Sequence, residues 1–314
     1  MNNTPLIIAG SGRSGTTWVL DAIAQSNNLR TIFEPLHPNA VPEAGRFANC
    51  YIRDDEHRLE LKAFMDKIFS GNLKSLWANY RIRPERLRIK FNKPGTLVYN
   101  YKLLLLHYLK YRKASHHKGL IVKFIRANLM LGWLSRMYQP KIILLMRHPG
   151  AVAASKMKLG GPNWSHEGIL KLYLKDEKLF SDYLYRFKDI IVKQLSPVVG
   201  HTIMWCIENM IPLQEAQNKN YCLVFYENLI LNSKQEWRRI IDFLGLKGIP
   251  NQGMLIRPSQ QVSTEMREKT FDEKQIGKWM NNFNKKQLTE LDDMLKIFDV
   301  PFYKAFDPLP IQNI

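Results

Sequence analysis

The segment Gly10-Ser11-Gly12-Arg13-Ser14-Gly15-Thr16-Thr17 carries the densest chemical signal in the chain. It follows a short apolar run, Leu6–Ala9, and precedes residues with an apolar face at helical spacing, Val19 with Ile23 and Leu20 with Ala24. Glycines let a backbone wrap closely round an anion. Successive N–H groups and a helix N-terminus then make an anion nest. Triphosphate-binding loops have the spacing G-x-x-x-x-G-K-[ST]. Gly10, Gly15 and Thr17 fit that spacing, but Thr16 fills the lysine position and the cation stands earlier, as Arg13. A magnesium–triphosphate site also needs an acid to help hold the metal. The strongest later strand candidate, Lys141–Met146, ends in Arg147-His148-Pro149 instead. These residues describe a phosphate site neutralised by arginine, with no metal required.

A second anion site is legible further on. Ligands of parallel α/β sheets gather at the carboxyl ends of strands, which is where Arg147 falls. Pro149 suits the first turn of a following helix. Ser155 lies six residues beyond Pro149, roughly 9 Å along a helix at ~1.5 Å per residue. A strand-end arginine and a helix hydroxyl can then converge on one phosphate, for which the planar guanidinium fork is well shaped.

Two phosphate sites suggest a nucleotide phosphorylated at both ends of its ribose, and here the sequence resembles the sulfotransferase superfamily. Ser11-Gly-Arg-Ser-Gly-Thr-Thr-Trp18 resembles its 5′-phosphosulfate loop, and Arg147-His-Pro-Gly-Ala-Val-Ala-Ala-Ser155 its 3′-phosphate motif. Phe225-Tyr-Glu-Asn-Leu229 and Ile276-Gly-Lys-Trp279 resemble two later family segments, and all four occur in family order. The resemblance implies a single α/β domain over residues 1–314, with a central parallel sheet flanked by helices and a P-loop-like nucleotide site. It implies 3′-phosphoadenosine 5′-phosphosulfate (PAPS) as co-substrate, 3′,5′-bisphosphoadenosine (PAP) as product, and no metal. By the same carry-over Arg13, Ser14, Gly15, Thr16 and Thr17 hold the 5′-phosphosulfate, and Arg147 and Ser155 the 3′-phosphate. Trp18 and Tyr226 lie near the adenine, or are ordinary core aromatics.

The branch of the superfamily turns on the base. Small-molecule members carry Lys-Thr-His on a middle strand; here the matching stretch is Lys123-Phe124-Ile125, without the histidine. Phe33-Glu34-Pro35-Leu36-His37 instead resembles the carbohydrate branch, in which a glutamate just after the second strand is the base. The implied catalytic residues are therefore Glu34 as base, with a pKa raised by partial burial, and Arg13 and Lys123 as stabilisers of the leaving phosphate; the alternative for Glu34 is a loop carboxylate paired with a nearby lysine or arginine. His37 is the second base candidate. The implied acceptor is a hydroxyl of a glycan or glycolipid, with small alcohols and phenols as the alternative.

The elements that position these residues follow from periodicity. Leu6–Ala9, Thr31–Phe33, Leu120–Ile125, Lys141–Met146 and Tyr221–Phe225 read as strands. Helical patterns separate them, as in a parallel α/β sheet. Further helices are expected at 56–70, 233–244 and 284–297, with loops at 35–48 and 250–275.

The net charge of +18 calls for an acidic partner. Residues 80–126 hold thirteen Lys or Arg against the single acid Glu85, +12 of that +18. This segment is expected on the acceptor side. Within it Leu97–Tyr111 mixes leucines, tyrosines and lysines at helical spacing. The segment reads as a surface for an acidic glycan, as a face for an anionic membrane, or as a solvated basic surface. No nucleic-acid-binding motif accompanies the charge. A nucleotide kinase is opposed by Thr16 and the missing acid, and a non-catalytic binding module by Arg13, Lys123 and Glu34. Cys50, Cys206 and Cys222 form no CxxC and read as reduced thiols. The absence of a leader pattern points to the cytoplasm, with peripheral membrane association if the basic face is lipid-directed.

Overall fold

The computed structural model describes residues 4–82, 105, 119–161, 164–193, 195–216, 220–251 and 276–311. Five strands, β1 (Leu6–Ala9), β2 (Arg30–Phe33), β3 (Leu120–Phe124), β4 (Lys141–Met146) and β5 (Tyr221–Phe225), form one sheet in the order β2-β3-β1-β4-β5. Every pairing is parallel. Strand β4 is buried in five of its six positions, as its unbroken apolar run requires of a strand covered on both faces.

The α-helices of five or more residues among the described residues are α1 (Thr16–Asn27), α2 (Leu59–Phe69), α3 (Leu76–Tyr80), α4 (Leu131–Tyr138), α5 (Pro149–Leu159), α6 (His166–Lys175), α7 (Pro197–Glu215), α8 (Tyr226–Leu231), α9 (Ser233–Leu244) and α10 (Lys285–Ile297). The three helices expected at 56–70, 233–244 and 284–297 are α2, α9 and α10. Asn284 and Gln287 close a reciprocal capping box that starts α10. The loop at 35–48 holds one short helical turn, Pro42–Ala44. All of Leu97–Tyr111 except Leu105, and most of the 250–275 loop, lie outside the described residues.

Helix α7 was not legible as a unit. It is buried on nearly all sides, packed against α4, α5, α6 and α10, so no amphipathic period marks it. Its start is conventional: Ser196 caps it by accepting the Val199 N–H, and Pro197 opens the first turn. Trp205 at its centre is fully buried and gives its indole N–H to the Arg147 carbonyl at 2.9 Å.

The order 2-3-1-4-5 puts β1 between two strands that continue in opposite directions across the sheet. Open parallel sheets bind ligands outside the carboxyl ends of strands at such a reversal. The loop after β1, Glu34 after β2, Lys123 in β3 and Arg147 after β4 all lie at that end, with Ile8 in register with Lys123 and Ile143.

Candidate active site

The loop from Gly10 to Gly15 bends through positions that side chains resist. Gly10 (φ 152°) has the Leu145 carbonyl where a Cβ would stand, 2.3 Å away, and Gly15 (φ 96°) has the Tyr226 ring 2.6 Å away. The ring of Trp164 lies against Gly12 in the same manner, 2.7 Å from where a Cβ would stand. Arg13 adopts φ 79°, a left-handed conformation that non-glycine residues hold only under constraint. The Ser14 N–H bonds the Ser11 carbonyl at 3.2 Å and the Ser14 hydroxyl bonds it too, closing the turn. Gly15 then starts α1 with no side-chain cap and no acid in the first turn, so the helix offers its N–H groups and positive dipole end to an anion.

Arg13 does not point into solvent. Its Nε donates to Ser155 Oγ at 3.0 Å, joining the first anion loop to the second. Arg147 gives an Nη1 bond to the Arg13 carbonyl at 3.4 Å, and its guanidinium lies 4.4 Å over the Tyr226 ring. Arg13 thus lies between Arg147 and Ser155, bonded to both. Neither guanidinium joins an ion pair among the described residues. Burial first, then the Arg147 charge, push the Arg13 pKa below its ordinary value, with Glu34 opposing. Two partly buried cations placed together without a carboxylate in contact are an arrangement that a bound polyanion relieves.

The second loop is braced from below. The His148 N–H donates to Glu227 Oε1 at 2.9 Å, and Tyr303 donates its hydroxyl to Glu227 Oε2 at 2.9 Å. Imidazole Nδ1 of His148 accepts the Gly150 N–H at 3.1 Å and caps α5. Trp279 stacks on that imidazole at 4.3 Å and lies flat over Gly150, where a Cβ would be 2.2 Å from its ring. The Phe225–Leu229 and Ile276–Trp279 segments therefore meet at the Arg147 loop, although some fifty residues separate them. Burial drives the His148 pKa down to about 4.

Glu34 stands one residue past β2 at φ 42°, a second non-glycine residue in the left-handed region. Its N–H continues the β2–β3 ladder to the Lys123 carbonyl at 3.0 Å. Its carboxylate accepts Lys123 Nζ at 2.5 Å and Arg126 Nη1 at 3.3 Å. Lys123 is 2% exposed and lies 4.3 Å over the Phe33 ring, which Arg81 approaches at 4.7 Å. Burial is the largest influence on Glu34 and pushes its pKa up, but Lys123 and Arg126 outweigh it, so the carboxyl sits below its ordinary value. This corrects the expectation of a raised pKa: burial alone raises a carboxyl, and burial between two cations does not. His37 is buried beside Trp77, ring centroids 5.0 Å apart, and its N–H bonds the Glu34 carbonyl.

Trp18 and Tyr226 are 5% and 4% exposed and meet edge to face at 5.8 Å; Trp18 also meets Trp237 of α9. They form the packed wall behind the anion loop. Ser14 and Thr16 are buried in the loop, and Thr17 is half-buried. Arg126, Trp164, Glu208 and Asn209 were not singled out from sequence. Arg126 appeared only within a run of charge, and the other three reach the loop from elements distant along the chain.

Residues 5–250 match the model of the Sulfotransferase family. The chain belongs to that family. It is a sulfotransferase. The sulfotransferase domain from the Synechococcus PCC 7002 olefin synthase aligns over 95% of each chain, at 17% identity and a TM-score of 0.50. The mouse sulfotransferase SULT7A1 complexed with PAP aligns over 96% of this chain and 86% of its own, at 12% identity and a TM-score of 0.43. At 17% identity the likeness to the Synechococcus domain is one of fold. No curated protein sequence matches the chain closely enough to be a relative. Among the described residues no helix of this sulfotransferase is long and apolar enough to cross a membrane.

Proposed function

We propose that this sulfotransferase takes PAPS as donor and transfers its sulfuryl group to a hydroxyl of a carbohydrate or glycolipid. The observation that carries the donor assignment is the pair Arg13 and Arg147, bonded together at the mouth of an uncapped helix, with Ser155 on Arg13 and no carboxylate among the described residues in contact. The loop N–H groups with Arg13, Ser14, Gly15, Thr16 and Thr17 hold the 5′-phosphosulfate. Arg147 and Ser155 hold the 3′-phosphate, and Trp18 and Tyr226 support the adenine side.

Transfer is in line. The acceptor oxygen forms a bond to sulfur, the bond from sulfur to the 5′-phosphate oxygen breaks, PAP leaves and Glu34 takes the acceptor proton. Arg13 and Lys123 oppose the charge that builds on the leaving phosphate. The low pKa of Glu34 makes it a weak base while Lys123 and Arg126 hold it. An anionic donor competes with Glu34 for Lys123, so donor binding and release of the base are one event in this scheme. The domain spans residues 1–314, and the basic segment 80–126 steers an acidic acceptor to the site from the cytoplasmic phase.

Transfer of labelled sulfate from PAPS to glycans, glycolipids, phenols and alcohols tests this reading. Labelled glycan or glycolipid is expected. Label on phenols alone discards the carbohydrate class. No transfer, together with no thermal stabilisation by PAP, discards the donor. Binding to anionic vesicles at low salt and not to neutral ones would assign the basic segment to a membrane face.

A further inference from the structure

Behind the anion loop lies a buried polar cluster that the transfer step does not use. Ser11 is fully buried. Its hydroxyl donates to Glu208 Oε2 at 2.6 Å and accepts from Asn209 Nδ2 at 2.9 Å. The same Glu208 oxygen takes Lys156 Nζ at 3.4 Å, and its Oε1 takes the Tyr173 hydroxyl at 3.5 Å. Glu208 is 6% exposed and Lys156 2%. Asn128 Nδ2 donates to the Glu208 carbonyl at 2.9 Å and fixes that turn of α7.

The members of this cluster come from both anion sites. Ser11 belongs to the first loop, and its carbonyl anchors Ser14. Lys156 directly follows Ser155 on α5. Glu208 on the buried α7 is bonded to both. The two sites are therefore tied twice: at the ligand face by Arg13 and Ser155, and behind it by Ser11, Glu208 and Lys156. A buried ion pair is a poor device for stability, because apolar side chains of equal volume often do as well. It is a good device for geometry, because the carboxylate accepts only from a few directions and leaving it half-satisfied is costly.

We propose that Glu208 and Lys156 are positioning residues that set the separation of the 5′ and 3′ anion sites, so that the enzyme reads both phosphates of its nucleotide as one unit. This rests on the donor reading above. Neither residue touches the donor in this scheme. Glu208 acts through Ser11 on the first loop, and Lys156 acts through the turn of α5 that carries Ser155. Misplacement of a binding group by about 1 Å is worth on the order of 10²-fold in rate, so a modest shift in this tie is readable.

The test compares the affinities of the full chain for PAP and for adenosine 5′-monophosphate, which lacks the 3′-phosphate. Titration calorimetry is applied to the wild type, S11A, K156M, E208Q and the double variant E208Q/K156M, each with ligand-free thermal unfolding alongside. The expected result is a PAP preference that falls about tenfold or more in both S11A and K156M. E208Q/K156M is expected to regain part of that preference relative to K156M, because the charge is balanced again and the glutamine still accepts from Ser11. A purely structural role would lower the melting temperature and leave the preference intact. Equal weakening of both ligands in S11A overturns the inference, as does an unchanged preference in K156M and E208Q. A wild type that shows no preference for PAP removes the donor reading, and this inference with it.

Discussion

Glu34→Gln separates the roles of this carboxylate better than any other single change. The Glu34 side chain is 11% exposed and that of its partner Lys123 3%, with contacts of 2.5 Å to Lys123 and 3.3 Å to Arg126. Removing one partner of a buried ion pair costs about 3–5 kcal/mol. Glutamine keeps one acceptor oxygen, so the low end applies, about 3 kcal/mol, or a fall in melting temperature of roughly 6 °C at ~2 °C per kcal/mol for a chain of this size. Turnover in sulfate transfer is expected to drop by about 10²-fold or more from loss of the base. Affinity for PAP is expected to move the other way, tightening severalfold, since Glu34 also lies in the field of Arg13 and competes for Lys123. The double variant E34Q/K123M should recover part of the melting temperature, because the more deeply buried of the two cations is then no longer left opposite a neutral amide, yet should stay slow. Calorimetry with PAP, thermal unfolding and single-turnover transfer read the three quantities separately. Wild-type turnover in E34Q would refute the base assignment. Weaker PAP binding in E34Q would refute the competition between donor and carboxylate.

Four further outcomes follow from the same geometry. Arg13→Ala and Arg147→Ala should each weaken PAP by roughly 10- to 150-fold in calorimetry, the loss of about 1.5–3 kcal/mol expected for a charge-assisted bond. Gly15→Ala should lose PAP binding by at least about tenfold, because the new methyl meets the Tyr226 ring at 2.6 Å and φ 96° is strained for alanine. Stability should decline as pH falls from 6.5 towards 4: the unfolded chain binds a proton at His148 that the folded chain refuses until about pH 4. The full contribution is present above 6.5, the loss is about 3 kcal/mol at the low end, and His148→Asn should flatten that part of a urea-midpoint-against-pH curve. Below pH 4.5 the wild type should weaken further as Glu34 is protonated through its depressed pKa.

The local elements of the site were legible because they rest on nearest-neighbour chemistry. A glycine-rich turn between an apolar run and an amphipathic run can only be a strand, a loop and a helix, and Gly10–Thr17 is that turn. Pro149 after Arg147 marks a helix start in the same local way, and the unbroken apolar run of β4 declares a strand buried on both faces. Helix α7 stayed hidden because burial all round erases the period that betrays an amphipathic helix.

The sequence by itself determined which groups are available: arginines in place of a lysine and a metal-binding acid, a glutamate after the second strand, a lysine in the third. Their electrostatic state was decided only by the tertiary structure. Glu34 was expected to have a raised pKa, and the sheet order instead sets β2 beside β3 and places Lys123 and Arg126 on its carboxylate. Charge interaction falls off with distance through space and has no relation to separation along the chain, so no pattern within residues 30–37 could report it. The same holds for Ser11, Lys156 and Glu208, which lie as much as 197 residues apart and share one buried oxygen.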